Sequence, residues 1–147
     1  MNRPVDGYWC EVVARCPEAA GEWFLGGYQA GSPRLAVRWL RMHAIRLANA
    51  LDPIPETCPF PGGALRATDP GNPNPGHVFR EWSRDLRVQE RQMAALRTGE
   101  PFTVQAGGPD RILDLYDVDI YFTLSARPMV RDFMTEWKLN ESSHALA

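Results

Sequence analysis

Four arginines, Arg80, Arg84, Arg87 and Arg91, stand in the stretch FREWSRDLRVQER. At about 100° per residue of a helix they fall within one arc roughly 60° wide. Val78, Trp82, Leu86, Gln89, Met93 and Leu96 fall within a second arc of about 80° on the opposite side, the side that would face a core. Like charges four apart, as in Arg80/Arg84 and Arg87/Arg91, cost a helix roughly a few tenths of a kcal/mol per pair. Glu81 and Glu90, three residues from Arg84 and Arg87, relieve part of that cost. A face that serves only solubility tends to alternate its signs. The stripe therefore points to an anionic partner, either a nucleic-acid backbone or an acidic protein surface, unless carboxylates elsewhere in the fold already hold it. Gln89 and Gln92 do not fall clearly on the arginine face, so contacts to nucleic acid would go to phosphates rather than base edges. Arg34, Arg38 and Arg41 repeat the spacing in an earlier segment. These seven arginines are the candidate partner-binding residues.

A second pattern is acidic. In DLYDVDIYF, Asp117 and Asp119 alternate onto one face of a strand. Two carboxylates so placed can hold a divalent cation and position a phosphate. With Gly107-Gly108 upstream, the arrangement resembles, over about fifteen residues, the glycine turn and Asp-x-Asp of nucleotidyltransferases. It departs from that pattern where Pro109 follows Gly108, and it lacks a third carboxylate strand. The resemblance implies a metal-dependent phosphotransfer or nuclease-like enzyme as an alternative reading. The plainer reading is an outward acidic pair that discourages edge-to-edge association, and no metal site is assigned.

Nucleophilic catalysis finds no constellation. His43, His77 and His144 are scattered, no serine sits in a G-x-S-x-G elbow, and no cysteine carries a local signature. The phosphate-binding patterns GxxxxGK[ST] and GxGxxG are absent, so no catalytic residue and no cofactor is assigned.

The rest of the composition bounds the function. The net charge of −2 argues against a dedicated nucleic-acid binder. An apolar fraction of 44% over 147 residues suits one globular domain spanning 1–147 with a real core. Lys138 is the lone lysine beside many arginines, which fits the coding bias of a GC-rich bacterial genome. No secretory leader and no run of 18 apolar residues is visible, so the expected location is the cytoplasm, away from membranes. Cys10 and Cys16 on one strand would lie roughly 20 Å apart, beyond the roughly 7 Å a disulfide allows. Cys10, Cys16 and Cys58 are therefore expected as buried thiols.

The elements that would carry these residues follow from turn and capping signals. Tyr8–Cys16 and Glu22–Tyr28 read as a hairpin joined through PEAAG. Ser32-Pro33 starts a helix whose inner stripe is Ala36, Leu40, Ala44, Leu47 and Leu51. Leu35, Trp39 and Met42 form a second apolar flank, which requires either a central position in the fold or a docking partner. Residues 52–77 hold seven of the thirteen prolines and read as a long loop. A helix over 75–98, stopped by Gly99 and Pro101, carries the arginine stripe. Phe102–Ala106 reads as a strand, Gly107–Asp110 as a turn, Ile112–Leu124 as a longer strand, and Ser125 as the cap of a final helix containing Met129, Phe133 and Trp137. The expected fold is α+β, an antiparallel sheet of about four strands with three helices in the order ββα-loop-αββα. The expected function is that of an accessory or regulatory binding protein, homo-oligomeric, with a second copy covering the open sheet face or the Trp9/Trp23 region. A structural assembly subunit is the third reading.

Overall fold

The computed structural model describes residues 5–56, 73–112 and 115–130. Strand β1 runs Val5–Cys16, β2 Gly21–Ala30, β3 Phe102–Ile112 and β4 Leu115–Val130. Helix α1 spans Pro33–Leu51, α2 Pro75–Arg84 and α3 Leu86–Arg97. The four strands form one antiparallel sheet in the order β2-β1-β4-β3, an α+β fold in which the first and last strands pair at the centre. No helix among the described residues is long and apolar enough to cross a membrane.

Period-two alternation builds the inner face of the sheet. Tyr8, Cys10 and Val12 of β1 stand opposite Pro128, Ala126 and Leu124 of β4, and Phe102 and Val104 of β3 extend the same row. Ala36, Val37, Leu40, Ala44 and Ala48 of α1 close over it with Phe79, Trp82 and Leu96. Leu40, Phe79, Leu96 and Leu124 are wholly buried, and each such side chain contributes about 1.5–3 kcal/mol. Small residues on α1 let the helix approach closely. Its N-terminus is set as the sequence requires: the Ser32 hydroxyl accepts a hydrogen bond from the Leu35 N–H at 3.2 Å, with Pro33 at the first helical position. Gly76 fixes the approach of α2 to α1, since a Cβ there would stand 2.6 Å from the Asp52 Cβ and 2.9 Å from its backbone nitrogen. Cys10 and Cys16 are buried free thiols, as their spacing on one strand demands.

Three boundaries differ from the sequence expectation. The segment read as one helix over 75–98 is two helices meeting at Asp85. The Asp85 carboxylate accepts from the Val88 N–H at 3.1 Å and so caps α3, while the Ser83 hydroxyl donates to the Arg80 carbonyl at 2.6 Å and the Asp85 N–H bonds the Trp82 carbonyl. Local side-chain bonds of this kind compete with the helical ladder. Gly107–Asp110 does not turn the chain but continues β3. The glycines serve close packing there: a Cβ on Gly107 would meet the Tyr121 ring, and one on Gly108 the Pro73 carbonyl and the Pro75 ring. Ser125–Val130 extends β4 instead of opening a helix, because Leu124, Ala126 and Pro128 carry the inner-face alternation onward. β3 stops at Phe102, opposite Ala126, so β4 has one strand neighbour at Pro128, where a proline is tolerated. Phe133 and Trp137 of that expected helix lie outside the described residues, as do Cys58, His144 and most of the proline-rich loop.

Candidate functional site

The break at Asp85 divides the arginine stripe into two pairs and shifts the helix faces. α2 buries Gly76, Phe79 and Trp82, and α3 buries Gln89 and Leu96. Val78 and Leu86, expected in the core, are 42% and 61% exposed. The arginines then take different places. Arg80 is an internal residue: its Nη1 lies 2.9 Å from the Asp52 carboxylate, and its Nη2 donates to the Asp52 carbonyl at 2.7 Å and to Asn49 Oδ1 at 3.3 Å. That clasp fastens the middle of α2 to the end of α1. Arg84, Arg87 and Arg91 are exposed, and none of them has an ion pair among the described residues. Arg87 and Arg91 line a shallow depression on α3 with Glu90 and Ala94.

The first-helix arginines also separate. Arg41 is half-buried, and its Nε and Nη2 both donate to Gln89 Oε1, at 2.9 and 2.6 Å. Gln89, wholly buried, donates through its own Nε2 to the Trp82 carbonyl at 2.6 Å. One amide thus joins α1, the end of α2 and α3. Arg34 and Arg38 are exposed, and Arg38 borders a groove beside β2.

That groove is lined by Tyr28, Leu35, Arg38, Trp39 and Met42 and encloses about 300 Å³. Tyr28 stacks on Trp39 with centroids 5.8 Å apart, and Trp39 meets His43 at 4.0 Å. Gly26 leaves room beneath them, since its Cβ would lie 3.6–3.7 Å from the His43 and Trp39 rings. Burial lowers the His43 pKa, and the nearby Arg46 charge lowers it further. The apolar flank of the first helix is therefore open to solvent rather than central: Leu35 is 40% and Met42 42% exposed. Trp23, Phe24 and Leu25 of β2 prolong the exposed apolar surface along the sheet edge. Sequence reading singled out Leu35, Trp39 and Met42 and, on β2, Trp23, but not Phe24, Leu25 or Tyr28. The available signal was EWFLGG, a strand apolar at successive positions rather than alternate ones.

Asp119 is exposed on β4, and the side chain of Asp117 lies outside the described residues. Among the described residues no group of three or more His, Cys, Asp or Glu side chains is placed to hold a metal ion. His77 is exposed, with its backbone N–H capped by Asn74 Oδ1 at 3.0 Å. Comparison with protein-family models, with curated proteins and with solved structures finds no match.

Proposed function

We propose that this chain is a small accessory or regulatory binding protein that meets an acidic protein surface through Arg84, Arg87 and Arg91. The observation that carries the reading is the exposure of these three guanidinium groups without ion pairs among the described residues, while Arg80 and Arg41 are held inside the fold. Planar guanidinium donors left in this state favour bidentate carboxylate contacts. Glu81, Asp85 and Glu90, also exposed, are interleaved with them. A uniformly anionic phosphate backbone does not match that mixture, whereas a protein surface whose carboxylates stand opposite the arginines and which leaves Glu81, Asp85 and Glu90 clear does. Three cations would also give nucleic acid only a shallow salt dependence. Arg38 borders the groove and contributes to the rim of a separate apolar surface, and Arg34 is exposed one turn before it on α1.

Pulldown from the native host with the full chain and with the Arg84→Glu/Arg87→Glu variant tests the proposal. A partner retained by the wild type, eluted by salt, resistant to nuclease and lost in the variant supports it. Equal retention by the variant refutes it, and loss on nuclease treatment transfers the role to a nucleic-acid backbone.

A further inference from the structure

Independently of the arginines, we infer that β2 and the exposed flank of α1 form a self-association surface whose occupant is a second copy of this chain. β2 is an edge strand, so one row of its backbone groups has no strand partner among the described elements. Edge strands are ordinarily guarded by lysine, proline or alternating charge. The other edge, β3, follows that rule, with Thr103 and Gln105 exposed between buried residues and Pro109 further along. β2 does not. Its one charged residue is Glu22, already engaged with Arg15 at 3.4 Å. Trp23, Phe24, Leu25 and Tyr28 are 38%, 61%, 48% and 36% exposed.

The register places these side chains on both sides of the strand. Tyr28 and Trp23 stand opposite Cys10 and Ala14, on the helix side, and Phe24 stands opposite Val13, on the other. On the helix side the surface runs on into Leu35 and Met42 through the Tyr28–Trp39 stack. The six exposed side chains present together about 400–650 Å² of surface, taking a large side chain at roughly 150–250 Å². Divided between the two sides of the edge strand, it supplies about half or more of the roughly 800 Å² that each partner gives a standard interface. Gln29, Arg34 and Arg38 and the free strand edge make up the remainder.

Self-complementarity selects the second copy as occupant. An antiparallel strand paired with its own image about a twofold axis offers donors to acceptors in both directions, the condition for a closed isologous dimer. Glu22, the one charged residue of β2, faces Arg15 of its own chain, so that pairing sets no run of like charges of β2 against each other. The Leu25 bulge between Val12 and Val13 of the β1 register limits the paired stretch to one side of it or the other, which favours a discrete dimer over an extended fibre.

Sedimentation velocity of the full chain at about 5–50 µM tests this, alongside Phe24→Lys and Met42→Glu, with far-ultraviolet circular dichroism as the folding control. The expected result is a species of twice the chain mass, with association weakened about 30-fold or more in each variant and the fold retained. Both sites are exposed, and should Phe24→Lys fail to fold, Met42→Glu alone carries the comparison. Backbone amides of β2 are expected to exchange with deuterium more slowly in the wild-type dimer than in Met42→Glu. A wild-type monomer over that range overturns the inference, and so does a dimer that both variants leave intact.

Discussion

Gln89 joins three helices through one buried amide, and replacing it with leucine is expected to cost about 2–3 kcal/mol. Oε1 accepts from both Nε and Nη2 of Arg41, and Nε2 donates to the Trp82 carbonyl. Hydrogen bonds to a charged group contribute about 1.5–3 kcal/mol and neutral ones about 1 kcal/mol. Two facts reduce the sum. Arg41 is half-buried, so water replaces part of what it loses, and the Trp82 carbonyl keeps its bond from the Asp85 N–H. For a chain of this length Tm shifts by roughly 2–4 °C per kcal/mol, so the loss is about 5–10 °C by circular dichroism at 222 nm. Removing both partners is less damaging than orphaning one. The Arg41→Leu/Gln89→Leu double variant should therefore fall short of the summed single losses by about 1 kcal/mol or more. A Gln89→Leu variant that melts within about 1 °C of wild type, or a strictly additive double variant, refutes the bridging role.

The helix break makes a sharper contrast. Phe79→Ala removes a wholly buried ring that meets Phe122 edge-on at 6.4 Å, and it should cost about 3–5 kcal/mol. Leu86→Ala, at a site 61% exposed, should change denaturant stability by less than about 0.5 kcal/mol; a large loss at Leu86 would restore the unbroken helix. Burial raises the Cys10 thiol to about 12 from its ordinary 9.0. The folded chain thus holds a proton that the unfolded chain releases, and stability should decline as pH rises from about 9 towards 12, less so in Cys10→Ala. His43 runs the other way. Its lowered pKa keeps it neutral in the fold, so its contribution is complete above about pH 6.5 and is lost on acidification, a loss that His43→Gln should remove from a urea titration series.

Much of the fold is written locally. Ser32-Pro33, Asn74-Pro75 and Gly99 mark helix ends that the structure keeps, with Gly99 at φ +91° after α3. The signal at Asp85 was equally local, an aspartate followed three residues later by the N–H it caps, but the apolar period running through Trp82 and Leu86 outweighed it in a reading that weighs periodicity first. Gly107-Gly108 misled for a different reason. Glycine marks a turn by its backbone freedom, yet here it makes room for Tyr121 and Pro75, a requirement set by residues distant in sequence or across the sheet. Ser125 misled because the cap signal at a strand residue is indistinguishable from one at a helix start until its strand partner, Glu11, is known.

The arginines show where spacing stops being informative. Periodicity gives the direction of a side chain around its own helix and says nothing of what stands opposite. Arg80 meets Asp52, 28 residues away, and Arg41 meets Gln89, 48 residues away. Gln89 lies two residues from both Arg87 and Arg91, hence about 200° around α3 from each. The face of α3 that receives Arg41 is therefore the one turned away from Arg87 and Arg91, and the contact that binds α1 to α3 leaves those two cations facing water. Within α3, the burial of Gln89 and the exposure of Arg87 and Arg91 are one geometric fact. A substitution that frees Arg41 should thus disturb the helix packing before it alters the charge of the exposed face.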